Sequence, residues 1–149
     1  MREKVILITG GAKRVGAAIS RRLHAQGARL VVHYRSSLDE ARTLQNELNQ
    51  KRPDSVALAQ ADLLDSELLP DLIEKAAKRF GQLDVLIANA GVGHFAPIDQ
   101  LSPEDWKNTI DTNLTGVFNS VKASLDSLKQ SKGYIITIAS LAGTNFFEN

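Results

Sequence analysis

Short apolar runs rich in β-branched residues alternate along the chain with longer stretches in which apolar residues recur every three or four positions. The first pattern predicts buried strands and the second predicts amphipathic helices. The five predicted strands cover residues 5–9, 30–32, 56–59, 83–87 and 133–140. Because strands that are apolar on both faces are typical of a parallel sheet covered by helices on each side, the pattern predicts an α/β fold.

The predicted helices lie between these strands. The first ends before Gly27, which has the place of a C-terminal cap, and the next two cover residues 39–50 and 70–80. Pro70 fits a first helical position. The apolar residues expected to face inward are Val15, Ile19 and Leu23 in the first helix, Leu44 and Leu48 in the second, and Ile73, Ala76, Ala77 and Phe80 in the third.

A long fourth helix is predicted to start at Ser102, which has the place of an N-terminal cap before Pro103. A buried Asn113 and Gly116 inside this helix both cost stability, so a bend and a local reason for them are expected. The apolar stripe of the helix comprises Trp106, Ile110, Leu114, Val117, Phe118, Val121, Leu125 and Leu128.

Composition restricts the partners and the location more than the fold. The chain has 149 residues, 43% of them hydrophobic, so one domain over residues 1–149 is expected. Its 18 basic and 17 acidic residues are interspersed, which disfavours nucleic-acid and membrane partners. Cysteine is absent, and no apolar run suits a signal peptide or a membrane span, so a cytoplasmic location is expected. The histidines His24, His33 and His94 have no metal-ligand spacing and are expected at the surface or in loops, without a metal.

A glycine-bearing turn, Thr9-Gly10-Gly11-Ala12-Lys13-Arg14-Val15-Gly16, joins the first strand to the first helix. Such a turn is typical of nucleotide sites, because the backbone can approach the phosphates and the helix offers unpaired N–H groups. The spacing fits neither the general G-x-G-x-x-G fingerprint nor a P-loop, in which Ala17 and Ala18 would have to be Lys and Ser or Thr. A turn that serves packing alone is the alternative.

The turn resembles the Thr-Gly-x-x-x-Gly-x-Gly of the short-chain dehydrogenase/reductase family at Thr9, Gly10 and Gly16, and departs from it at Arg14. Residues 89–91 resemble the end of the family's Asn-Asn-Ala-Gly signature. The resemblance implies a Rossmann fold with a doubly wound parallel sheet in the order 3-2-1-4-5, and hydride transfer between a nicotinamide and a carbonyl or alcohol. It implies cofactor contacts from Thr9, Gly10, Lys13, Arg14, Val15, Gly16, Tyr34, Arg35, Ser36, Ser37, Asp62, Leu63, Asn89, Ala90 and Gly91.

Two residues match positions of the family's active site. In the family, the asparagine of Asn-x-x-Gly holds a water beside the catalytic lysine, and it maps onto Asn113. The serine that ends the fifth strand bonds the substrate oxygen, and it maps onto Ser140. From the residues alone, Asn113 could instead be a kink residue, Ser140 an ordinary strand-end serine and Asp62 a turn residue.

The end of the second strand favours NADP(H) over NAD(H). An acidic residue at this place would bond the ribose 2′-hydroxyl of NAD, and none is present before Asp39 in the next helix. Arg35, the neighbouring serines at 36 and 37, and Arg14 across the turn could hold a 2′-phosphate instead. The alternative is that Arg35 is an ordinary solvated arginine.

The family's proton donor is a tyrosine followed four residues later by a lysine. Tyr34 is followed by Leu38 and Tyr134 by Ile138, so the chain has no such pair. The chain is therefore expected to be truncated before the last strands, to hold the cofactor half of the enzyme and to be inactive alone. Exposed apolar positions would make it a homo-oligomer or the partner of a complementary fragment.

The two halves resemble different branches of the family. Residues before about 81 resemble the pteridine reductases, and later residues resemble carbonyl reductases of the 3-oxoacyl type, so the chain could be chimeric. The expected substrate is a small-molecule carbonyl or a pterin. The alternatives are a pteridine reductase and a nucleotide-binding or interaction module without catalysis.

Overall fold

The computed structural model describes residues 1–141. Their strands form one parallel sheet in the order β3-β2-β1-β4-β5, as predicted. The order reverses between β1 and β4, which lie side by side although two other strands separate them in sequence. The strands are β1 (Val5–Ile8), β2 (Arg29–Tyr34), β3 (Val56–Gln60), β4 (Val85–Ala88) and β5 (Tyr134–Thr137).

Side chains alternate between the two faces of each strand, so both faces of the sheet carry apolar side chains, and helices cover both. Ile6 and Ile8 of β1 share a core with residues of the first two helices, whereas Val5 and Leu7 share a core with residues of the third and fifth helices. The doubly wound α/β arrangement is therefore confirmed. The helices are α1 (Arg14–Ala25), α2 (Leu38–Lys51), α3 (Leu69–Lys78), α4 (Pro103–Ile110) and α5 (Gly116–Ser131), and a π-helical turn (Asp111–Thr115) joins the last two.

The predicted helix ends are mostly confirmed. Gly27 follows α1 with φ +92°, and its N–H donates to the carbonyl of His24 at 2.9 Å. The Ser102 hydroxyl accepts a hydrogen bond from the N–H of Asp105 at 3.0 Å and so caps α4. Other boundaries differ by a few residues, most of all at β5, which is half the predicted length.

The buried face of α1 is not the predicted one. Val15 is exposed, and Ile19 and Leu23 are only partly buried. The helix begins directly against the glycine turn: a Cβ added to Gly16 would lie 2.2 Å from the carbonyl oxygen of Gly10. The buried positions of α1 are Gly16, Ala17, Ser20, whose hydroxyl donates to the carbonyl of Gly11 at 3.1 Å, and His24.

The expectation of exposed histidines is wrong for two of the three. His24 is buried, with its Nε2 2.7 Å from the hydroxyl of Ser55, and burial, aided by the charges of Arg52 and Lys51, lowers its pKa. His33 is buried within β2. Each buried ring has a hydrogen-bond partner, which makes its burial tolerable.

Several apolar side chains are exposed on the last described elements. On the helices, Trp106, Leu114 and Phe118 are exposed, whereas Leu128 of the same predicted stripe is buried. On the sheet, Ile135 and Ile136 of the edge strand β5 are more than a third exposed. Among the described helices, none is long and apolar enough to cross a membrane.

Candidate functional site

A cleft of about 420 Å³ opens at the carboxyl ends of β1, β2 and β4. This is the edge at which the strand order reverses, where open α/β sheets bind their ligands. The predicted cofactor residues that line it are Gly10, Lys13, Arg14, Val15, Gly16, Tyr34, Arg35, Ser36, Ser37, Asp62, Leu63, Asn89, Ala90 and Gly91.

The phosphate-binding potential of the cleft lies at the start of α1. The N–H groups of Gly10 and Gly11 are already used, since they donate to the ring and the carbonyl of His33 at 3.2 Å and 3.0 Å. The first helical bond runs from the N–H of Ala17 to the carbonyl of Lys13, and no side chain caps the helix. The N–H groups of residues 14–16 therefore have no acceptor within the helix, and these residues line the cleft at the positive end of the helix dipole.

Thr9 and Asn89 connect the glycine turn to the loop after β4 by hydrogen bonds. The Thr9 hydroxyl accepts hydrogen bonds from the N–H groups of Asn89 and Ala90, both at 3.0 Å. The Asn89 amide donates to the carbonyls of Thr9 and Gly10 at 3.0 Å and 3.2 Å. Thr9 is buried and does not line the cleft, so the structure shows it in a supporting position, and its cofactor contact stays a prediction.

Basic and hydroxyl groups collect where β2 ends. Arg35 is exposed at the cleft, and Ser37 stands at the N-terminus of α2 without capping it through its side chain. Arg14 lies opposite with φ +47°, a left-handed conformation that side chains other than glycine rarely adopt. Next to it, the Lys13 ammonium contacts a carboxylate oxygen of Glu40 at 2.7 Å, which holds the pKa of that carboxyl below its usual value.

The opposite wall is made by the loop after β3. The Asp62 carboxylate accepts a hydrogen bond from the N–H of Leu64 at 3.0 Å, so this residue does shape the turn while lining the cleft. The carbonyl of Leu63 accepts a hydrogen bond from the buried amide of Asn119 at 2.9 Å. This wall is thereby fixed to α5.

Asn113 lies in the π-helical turn and is exposed, not buried as expected. Its amide nitrogen donates to the carbonyl of Val92 at 2.8 Å, and its oxygen accepts from the N–H of Val92 at 2.8 Å. These bonds hold the segment after Gly91 against the helix. The role expected for Asn113 in holding a water stays a prediction.

Ser140 is exposed three residues beyond the end of β5. The N–H of Ile138, between the strand and the serine, donates to the carbonyl of Ala88 at 2.9 Å and extends the pairing with β4. Neither Ser140 nor Asn113 is among the residues that line the cleft. In the described part of the chain, no group of three or more His, Asp or Glu side chains is placed to hold a metal.

Six residues line the cleft that sequence reasoning did not assign to it. They are Ala12, His33, Leu64, Val92, Thr112 and Ile138. Five are neighbours of predicted residues or extend a predicted element. His33 had a signal of its own, because it directly follows the apolar stretch 30–32, although it was expected at the surface or in a loop.

Comparison with known proteins gives a consistent result. A family model described as short chain dehydrogenase matches residues 4–149. The chain is 35% identical over 141 residues to a 3-oxoacyl-[acyl-carrier-protein] reductase of Staphylococcus aureus, covering 94% of this chain and 57% of that protein. It is 34% identical over 143 residues to 3beta-hydroxysteroid dehydrogenase 1 of Eggerthella lenta, covering 95% and 54%.

Solved structures show the same likeness. An alcohol dehydrogenase from the archaeon Thermococcus sibiricus, complexed with 5-hydroxy-NADP, superposes with a TM-score of 0.89 at 35% identity, covering 97% of this chain and 61% of that one. A 3-ketoacyl-ACP reductase from Sinorhizobium meliloti gives 0.87 at 32% identity, covering 96% and 56%. The chain thus spans a little over half the length of these relatives.

Proposed function

Since the chain belongs to the short-chain dehydrogenase family, we propose that its cleft binds NADP(H) and that it supplies the cofactor half of a carbonyl reductase. The observation that carries the proposal is the uncapped N-terminus of α1, which opens into the cleft at the point where the strand order reverses. Gly10 and Gly16 let the turn pack closely against the start of α1 and the loop after β4, because a Cβ on either residue would clash with backbone atoms.

The preference for NADP(H) follows from the charges where β2 ends. Arg35 and the hydroxyls beside it face the cleft, and Asp39 lies inside α2 instead of at the strand end. A 2′-phosphate would accept charge-assisted hydrogen bonds from these groups, with Arg14 on the other side. The similarity to an alcohol dehydrogenase solved with an NADP analogue supports this choice.

The chain's own residues would orient the substrate and the cofactor, but they do not include the tyrosine and lysine that serve as the family's proton donor. A bound nicotinamide would supply the hydride, and the protein would have to position the substrate and deliver a proton. Ser140 would bond the substrate oxygen, and Asn113 would hold a water as the corresponding asparagine does in the family. Because no tyrosine precedes a lysine by four residues, nothing in the 149 residues matches the family's proton donor, and we expect no turnover from this chain alone.

The substrate class is a small carbonyl compound or the corresponding alcohol. Relatives named for 3-oxoacyl and 3β-hydroxysteroid substrates support this, and a pterin remains the alternative suggested by the sequence of the turn. A second candidate is a nucleotide-binding module without catalysis. Substrate-dependent loss of NADPH absorbance, measured with the chain joined to a segment that carries such a pair, would separate the two.

Replacing Arg35 by Asp tests the cofactor assignment. The charged partner of the 2′-phosphate is lost and a carboxylate for the 2′-hydroxyl is gained, so NADPH affinity should fall and NADH affinity should rise. With charged hydrogen bonds contributing roughly 1.5–3 kcal/mol each, the preference should shift by at least about tenfold. Calorimetric titration of both nucleotides measures it, with Arg22→Asp on the exposed side of α1 as the charge-matched control. Equal affinities for NADPH and NADH, both in the wild-type chain and in Arg35→Asp, would rule out a 2′-phosphate site.

A further inference from the structure

His33 occupies an unusual place for a histidine, in the middle of the buried sheet and at the floor of the cleft. Only 3% of its surface is exposed. Its Nδ1 lies 3.2 Å from the backbone nitrogen of Gly10, and its Nε2 lies 3.1 Å from the carbonyl oxygen of Ala61. The imidazole thus joins the glycine turn after β1 to the loop after β3, the two walls between which a dinucleotide would lie.

The two contacts fix the protonation state of the ring. The carbonyl of Ala61 can only accept, so Nε2 carries the proton and donates it. Nδ1 is then the acceptor for the N–H of Gly10. Burial lowers the pKa of His33 to about 4, although the bond to Ala61 and the charge of Asp62 act in the opposite direction. The ring is therefore neutral at neutral pH and holds this tautomer.

The ring of His33 adds to other bonds that hold these walls: the N–H of Gly11 donates to the carbonyl of His33, and the amide of Asn119 donates to the carbonyl of Leu63. Gly10 has φ +59°, a conformation that glycine adopts easily. Because glycine adopts several other conformations as easily, the turn needs a further contact to hold this one. The direction of the Gly10 N–H is set by the ring of His33. On the other side, Ala61 is held by the same strand, because its N–H donates to the carbonyl of Tyr34 at 3.2 Å.

We propose that His33 is a positioning residue for the cofactor, which sets the conformation of the glycine turn through its bond to the N–H of Gly10. With that bond in place, the N–H groups of residues 14–16, not those of the two glycines, are presented to the pyrophosphate. Without it, the Gly10 N–H loses its buried partner and the turn relaxes away from the geometry that α1 requires. The inference rests on the proposed function, since it concerns the same cleft.

Three substitutions separate the two bonds of the ring. The side-chain oxygen of Asn reaches about as far as Nδ1, so His33→Asn can keep the bond to Gly10 and lose that to Ala61. Gln reaches about as far as Nε2, so His33→Gln does the reverse, and His33→Leu loses both. His24→Leu is the matched control, because it removes the other buried histidine, whose partner Ser55 lies outside the cleft.

NADPH affinity by calorimetry and unfolding by urea are measured on the full 149-residue chain and its variants. His33→Leu and His33→Gln should bind NADPH about tenfold or more weakly, His33→Asn within about threefold of wild type, and His24→Leu like wild type despite a loss of stability. Should His33→Leu fail to fold, the contrast between Asn and Gln decides.

Three results would overturn the inference. Unchanged affinity in all His33 variants would show that the ring does not set the turn. Equal losses in the Asn and Gln variants, or a loss in His24→Leu matching that in His33→Leu, would reduce His33 to a general contributor to stability. A wild-type chain that binds no NADPH would overturn the proposed function, and this inference with it.

Discussion

Arg14 is the residue at which local strain and the expected ligand coincide. Its φ of +47° lies in the left-handed region, at the position where the family turn carries glycine. Such a conformation costs a side-chain-bearing residue about 1–2 kcal/mol relative to the right-handed one. Strained residues of this kind concentrate at functional sites. The guanidinium would recover this cost only in the presence of an anion, which is the role proposed for the 2′-phosphate.

Arg14→Gly should therefore separate stability from binding. Relief of the left-handed strain outweighs the added chain entropy of glycine, about 0.5–1 kcal/mol, and leaves a net stabilisation of roughly 0.5 kcal/mol. NADPH affinity should fall about tenfold while NADH affinity changes little. Urea unfolding and nucleotide titration measure the two effects. Lys132→Gly, at φ +52° after α5, is the control that should gain stability and leave binding unchanged. An Arg14→Gly variant that binds NADPH as wild type does would contradict the account.

At the scale of elements, the long helix is interrupted where the sequence predicted a bend. Asp111–Thr115 forms a π-helical turn. The next residue, Gly116, packs so closely against Leu63 that a Cβ on this glycine would lie 3.3 Å from the Leu63 side chain. Insertions of this kind are frequent at functional sites. Here the extra residue brings Asn113 into register with the backbone of Val92.

Asn113→Ala tests whether the π-helical turn is tied to the cleft. Two hydrogen bonds to Val92 are lost, and because the site is exposed we expect a destabilisation of only about 1 kcal/mol. Asn108→Ala, which removes an amide 3.1 Å from the ring of His94 on the same helical segment, should cost less than about 0.5 kcal/mol. Urea denaturation compares them. Identical stabilities would show that the bonds to Val92 contribute nothing to the fold.

Helices in which apolar residues recur regularly were predictable from the sequence. The positions that this pattern did not predict have physical causes. Leu44 and Leu48 are buried in α2, and Ile73 in α3, because core burial alone decides those positions. The buried face of α1 was missed because close backbone approach at Gly16, not hydrophobicity, selects its residues. His33 was missed because its partners, Gly10 and Ala61, are 23 and 28 positions away in sequence. The cleft residues were predictable from a resemblance, whereas Asn113's bonds to Val92 depend on tertiary geometry.

At the scale of the whole molecule, apolar side chains and a strand edge are exposed on the last described elements. Phe118 is 62% exposed, and β5 presents an unpaired edge within the described sheet. Exposed apolar patches and strand edges of this kind promote association. We therefore propose that the 149-residue chain associates with itself or with a complementary fragment.

Sedimentation velocity at micromolar concentration tests this proposal. The wild-type chain should sediment as a dimer or larger species, and Phe118→Glu should shift it toward monomer, because a charge in the patch opposes its burial. Gln130→Glu, exposed on the same helix, is the charge-matched control and should behave like wild type. A compact monomer for the unsubstituted chain would contradict the proposal.

The central claim is that the glycine turn and the start of α1 form a site for NADP(H), and calorimetric titration of NADPH tests it most directly. The wild-type chain should bind one NADPH per chain. Gly16→Ala, whose Cβ would lie 2.2 Å from the Gly10 carbonyl oxygen, should weaken binding beyond detection, whereas Gly81→Ala, with no atom within 4 Å of its Cβ, should bind as wild type does although its φ of +85° costs stability. No binding by the wild-type chain, or equal binding by a folded Gly16→Ala variant, would contradict the assignment.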